Sequence, residues 1–135
     1  MAAKRIPGTQ GRSSVVAVHD GSTDRQVTAT AARYLLQVLA DAAPGNTVEV
    51  RVPPFGAVQA IAGPRHTRGT PANVVEMDAS AWIGLATGKL RWLDAVAEGR
   101  VAASGSRADL SEQLPLDWSG APADLAAGGG RADPA

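Results

Sequence analysis

The chain has 135 residues, 44% hydrophobic and 19% charged, with 13 basic side chains balancing 13 acidic ones. That length is one domain's worth, and burial of roughly 65–70% of the unfolded surface lets it fold without staples. A mean hydropathy of -0.07 excludes both global disorder and a membrane-spanning chain. The absence of cysteine excludes disulfides, thiolate nucleophiles, Cys-ligated zinc and iron–sulfur clusters, and a pI near 6.7 argues against nucleic acid as a partner.

Residues 1–14 are polar, broken by Pro7-Gly8 and Gly11, and residues 117–135 carry Pro122, Gly128-Gly129-Gly130 and Pro134. Both ends read as disordered tails flanking a domain at 15–116. Lys4, Arg5 and Arg12 precede no apolar run, so a secretory signal is not expected, and the reading is cytoplasmic without stable membrane insertion. Val15 to Val18 fits either a short strand or the lead-in to a helix, stopped by Asp20-Gly21-Ser22.

From Thr23 the helical period is clear. Val27, Ala31, Leu35, Val38 and Ala42 share one face, and Gln26, Thr30, Arg33, Gln37 and Asp41 share the other. Thr23-Asp24-Arg25-Gln26 has capping-box form with Thr23 as the cap, and Pro44-Gly45 ends the helix. Thr47 to Val52 alternates as a half-buried strand; Pro53-Pro54 interrupts it, and Ala57 to Ala62 reads as its antiparallel neighbour. A polar connection leads to a third strand at Asn73 to Met77, after which Asp78 caps a helix ending at Gly88. A short helix from Trp92 to Glu98 stops at Gly99, a fourth strand covers Arg100 to Ser104, and Ser106-Arg107-Ala108-Asp109 opens a last helix through Leu114. This order specifies an α+β fold with a small antiparallel or mixed sheet covered by helices.

Val74-Val75-Glu76-Met77, Asp78-Ala79-Ser80-Ala81-Trp82, Leu85 with Gly88-Lys89-Leu90, Ala95 with Gly99-Arg100-Val101, and Gly105 before Leu110 to Leu114 form an ordered series. The series resembles the C-terminal half of the sterol carrier protein type 2 family. Upstream, Glu49 to Phe55 and Gly63 to Pro71 are similar to its actinobacterial branch of bacterial SCP orthologues, and the similarity spans Thr23 to Leu116. The resemblance implies a layered fold with an apolar ligand tunnel between sheet and helices. It implies a cytoplasmic, non-enzymatic carrier of a hydrophobic small molecule such as a fatty acyl, acyl-CoA or sterol-like lipid. Related domains are fused to mycothiol-dependent isomerase-like and acetyltransferase domains, so the alternative is an accessory module that binds a partner protein.

Twelve apolar residues are candidates for the cavity lining: Phe55, Val58, Ile61, Val75, Met77, Trp82, Leu85, Leu90, Trp92, Val96, Leu110 and Leu114. Each buried ligand methylene contributes about 0.8 kcal/mol, whereas side chains that simply close-pack leave nothing to fill. Arg65, His66, Arg68 and Thr70 are candidates for a polar head group, because two guanidiniums flank an imidazole and hydroxyls in one loop. A solvated loop whose arginines pair with nearby acids is the plainer account.

Catalytic signals are thin, and no cofactor is expected. His19 and His66, without His-Glu-x-x-His spacing, make a poor zinc site. Ala103-Ser104-Gly105-Ser106 lacks the first glycine of a nucleophile elbow. Gly84 to Leu90 is one residue short of a phosphate loop, and Leu90 stands where a Ser or Thr must meet magnesium. For an enzyme acting on an apolar substrate, His66 and Glu76 are the ionisable groups to examine.

Overall fold

The computed structural model describes residues 4–63 and 72–119. Helix α1 (Gly8–His19) and helix α2 (Arg25–Ala42) precede strands β1 (Val48–Val52), β2 (Gly56–Ala60) and β3 (Asn73–Glu76). Helices α3 (Ala79–Thr87) and α4 (Trp92–Ala97) and strand β4 (Ala102–Ser104) follow. The sheet order is β2-β1-β3-β4, antiparallel at β1–β2 and β3–β4 and parallel at β1–β3. This is the α+β arrangement with a mixed sheet that the element order specified.

The β1 alternation sorts the two faces. Val48, Val50 and Val52 are buried against the helices, and Val50 sits level with Val58 and Val75 in the register. Glu49 and Arg51 occupy the opposite face, where Arg51 reaches Glu49 at 3.1 Å and Glu76 at 3.9 Å. The hydrogen bond to Glu49 raises the Arg51 pKa above its ordinary value, with further attraction from Glu49 and Glu76. Among the described residues the helices cover one face of the sheet, so charged residues are stable on the other side.

Helix α2 organises the core. Ala31, Ala32, Tyr34, Leu35, Leu36 and Leu39 are buried, a broader stripe than the five-residue face read from the sequence, and Val27 and Val38 are only half-buried at its margin. Trp82 on α3 is fully buried and donates its indole N–H to the Ala32 carbonyl at 3.1 Å. The bond joins α3 to α2 and satisfies a donor that burial would otherwise leave unpaired.

The cap of α2 is Asp24 rather than Thr23. The Asp24 carboxylate accepts the Val27 N–H at 3.0 Å, and its carbonyl accepts the Thr28 hydroxyl. Asp78 caps α3 in the same way, accepting the Ala81 N–H at 2.8 Å, and Gly88 closes the helix in the left-handed conformation at φ 88.

The start of the chain departs from the tail reading. Residues 8–14 are the first turns of α1, and Val15 to Val18 continue it as helix rather than strand. The reason lies in packing. A Cβ on Gly11 would lie 2.2 Å from the Tyr34 ring, so glycine lets that ring lie directly against α1, and Val15 is fully buried beside it. At the other end, residues 106–114 form turns rather than the expected helix. Asp109 spends its carboxylate on the Ser111 N–H at 2.7 Å, two residues on, and Asn73 takes the Arg107 N–H at 2.9 Å. Side chains that bond locally in this way compete with helix formation. Leu110 and Leu116 nonetheless anchor the segment in the core.

Candidate functional site

The space between sheet and helices is filled where a tunnel was expected. Val75, Trp82 and Leu110 have no accessible surface, Leu85 keeps 1% and Met77 keeps 4%. A side chain without accessible surface cannot border a void that holds even one water, so Val75, Trp82 and Leu110 are packing, not lining. The twelve apolar candidates therefore do not share one cavity. Phe55 and Val58 line a groove outside the core, while Leu85, Leu90, Trp92 and Leu114 border a smaller cleft of about 260 Å³ beside α4. Ile61 faces a polar cleft with Thr47 and Arg107, and Val96 is 44% exposed. Arg65, His66, Arg68 and Thr70 lie outside the described residues.

A groove of about 690 Å³ lies between the lead-in to α1, one flank of α2 and the strand β2. Its apolar surface comes from Ile6, Leu36, Ala40, Phe55, Ala57 and Val58, and its polar rim from Lys4, Arg5, Gln10, Arg33, Gln37 and Asp41. Residues 4–7 form a strap along α2. The Gln37 amide clamps it from both sides, accepting the Ile6 N–H and donating to the Ile6 carbonyl, each at 3.0 Å. One turn further on, Asp41 accepts from both Arg5 guanidinium nitrogens at 3.3 and 2.6 Å. That hydrogen bond, with the attraction of the carboxylate, raises the Arg5 pKa above its ordinary value. The Arg25 guanidinium, at the start of α2, lies 5.1 Å from the centre of the Phe55 ring, which begins the β2 wall of the groove.

None of the rim residues was singled out from the sequence. The available signal was the polar stripe Arg33, Gln37, Asp41 on α2, which spacing alone assigns to solvent. The stripe is instead the bed on which the strap lies. The Asn73 amide is committed to structure, donating to the Thr47 carbonyl at 3.0 Å and accepting the Arg107 N–H.

The residues considered for catalysis are dispersed. Glu76 stands on the helix-free face of the sheet beside Arg51, away from the groove. His19 ends α1, where its carbonyl accepts from Lys89 at 3.5 Å. No His, Asp and Glu side chains among the described residues gather in a group of three able to hold a metal ion. Among those residues, no helix is long and apolar enough to cross a membrane.

Comparison with known proteins agrees with this architecture. No curated protein matches the chain. A family model described as bacterial SCP ortholog matches residues 24–116, from the cap of α2 through the buried Leu116. The match covers strands β1 to β4 and helices α2, α3 and α4, and the chain belongs to the bacterial SCP ortholog family.

Proposed function

We propose that the protein binds a hydrophobic small molecule, of the fatty acyl, acyl-CoA or sterol-like kind, without transforming it, and that the ligand lies in the groove between the strap, α2 and β2. The observation that carries this reading is the continuous apolar surface of Ile6, Leu36, Ala40, Phe55, Ala57 and Val58. The groove volume, about 690 Å³, falls in the usual range for small-molecule sites. Four or five ligand methylenes buried there contribute about 3–4 kcal/mol, an affinity of about millimolar. The ligand therefore exchanges readily, as a carrier requires, unless a head group adds to the binding.

Native mass spectrometry of the purified protein, before and after incubation with fatty acids, acyl-CoAs and sterols, tests the proposal. The expected result is a bound species that Val58→Asp removes. A mass that stays ligand-free under every condition overturns it.

One observation favours the second reading, an accessory module that binds another protein. On α4, Leu93 is 72% and Val96 44% exposed, beside the cleft formed by Leu85, Leu90, Trp92 and Leu114. A packed interior with exposed apolar residues is the pattern of a partner-binding surface. A ligand-free mass, together with loss of a co-purifying protein in Leu93→Ser, supports that reading over the carrier.

A further inference from the structure

The groove is asymmetric in charge as well as in polarity. Its lining holds three cations, Lys4, Arg5 and Arg33, and one carboxylate, Asp41. Arg5 neutralises Asp41 through two hydrogen bonds. Lys4 and Arg33 are exposed, and among the described residues neither has an ion-pair or hydrogen-bond partner.

These two cations stand at opposite ends. The chain start runs antiparallel to α2, with Arg5 at Asp41, Ile6 at Gln37 and Gly11 under Tyr34. Lys4 therefore lies at the C-terminal end of α2, and Arg33 lies about two turns back along the same flank. A rise of 1.5 Å per residue places Arg33 about 12 Å from Asp41 along the helix axis, and Lys4 precedes the residue paired there. Leu36 and Ala40 occupy the interval, facing Phe55 to Val58 across the groove.

We infer that the groove selects a ligand with an acidic group at each end of an apolar body, an α,ω-dicarboxylate whose ends reach Lys4 and Arg33. This inference rests on the groove being the binding site proposed above. A neutral amphiphile gains only the apolar contact. A monocarboxylate satisfies one cation and leaves the other without a counter-charge. An extended dicarboxylate of about ten carbons, met from both ends by the long Lys4 and Arg33 side chains, spans this interval of about 12 Å and satisfies both. Because both cations are exposed, each contact is modest and weakened by salt.

The test is a titration of the full-length, isotope-labelled protein at low ionic strength with decanedioate, decanoate and decan-1-ol, read from backbone amide chemical shifts. Decanedioate is expected to shift the amides of Ile6 and residues 55–58 and to bind several-fold more tightly than decanoate. Lys4→Ala and Arg33→Ala are each expected to weaken decanedioate about threefold, while decan-1-ol binding stays unchanged in both. Half-molar salt removes most of the difference between decanedioate and decanoate. Equal affinities for the three probes at the groove amides overturn the dianion inference and leave the groove as the binding site. Shifts confined to another surface also overturn it. No shift at the groove amides with any probe overturns both this inference and the proposed site.

Discussion

Helix α2 has two working faces, and they differ in kind. Toward the sheet and α3 it presents Ala32, Leu35 and Leu39, which pack around Trp82 and the β1 valines without leaving room for a water molecule. Toward β2 and the chain start it presents Arg33, Leu36, Gln37, Ala40 and Asp41, which border an open groove held together by a few hydrogen bonds. The first face is set by volume and tolerates little change. The second is set by short-range polar contacts and leaves space. A chain of this size has one core to spend its apolar side chains on, so the open groove falls at the edge of the sheet rather than beneath it.

The sharpest way to break this contrast is at Trp82. Replacing it with Ala removes a fully buried ring and the donor to Ala32, and is expected to cost about 3–5 kcal/mol in urea denaturation. Trp82→Phe, which keeps most of the volume but loses the bond, is expected to cost less than half of that. Next in size is Gly11→Ala. Its methyl group meets the ring of Tyr34, which cannot swing aside freely because its hydroxyl donates to the Trp118 carbonyl at 3.1 Å. The expected loss is about 1–3 kcal/mol, seen as a lower melting temperature.

Gln37→Ala removes both clamps on Ile6 and is expected to cost about 1 kcal/mol. Its distinguishing mark is faster hydrogen exchange at the Ile6 amide, with exchange in β1 and β3 unchanged. Gly56→Ala points the other way. A Cβ there meets Leu36 and Arg33 only at 3.6 and 3.7 Å, ordinary contact distances, and a strand glycine is replaced, so stability is expected to rise by about 0.5 kcal/mol. Arg5→Ala is the smallest effect. The pair it breaks is exposed, and no shift in the melting midpoint is expected. The sign of its pH dependence is equally clear. The raised Arg5 pKa means that its contribution is present below the ordinary guanidinium value and lost only above it. Melting curves across the neutral range therefore show no dependence on this pair.

Much of the fold was legible because it obeys local rules. The β1 alternation, the Asp78 cap and the Gly88 terminus each depend on a few neighbouring residues, and each stands where the spacing put it. The misreadings come from competition with distant groups. Gly8 to Ser14 looks like a tail until Tyr34 offers a flat ring for Gly11 to lie on. Ser106 to Asp109 looks like a helix start until Asn73 and Ser111 claim the groups that would have capped it. The groove was illegible for the same reason. Its walls come from three segments far apart along the chain, residues 4–10, 33–41 and 55–58, and its polar rim has the spacing of an ordinary solvated helix face. The apolar candidates were correct as hydrophobic residues, yet periodicity cannot separate a side chain that lines space from one that fills it.

The three tryptophans differ in surroundings, with consequences for spectroscopy. Trp82 is sealed and hydrogen-bonded, whereas Trp92 and Trp118 are half-buried. An aqueous quencher such as iodide reaches the latter two and not the first. The emission left after quenching therefore comes from Trp82, an internal optical gauge of interior integrity that needs no label. Quenchable emission reports instead on α4 and the segment near Tyr34, so loosening at the surface and opening of the interior can be followed as separate signals in one cuvette.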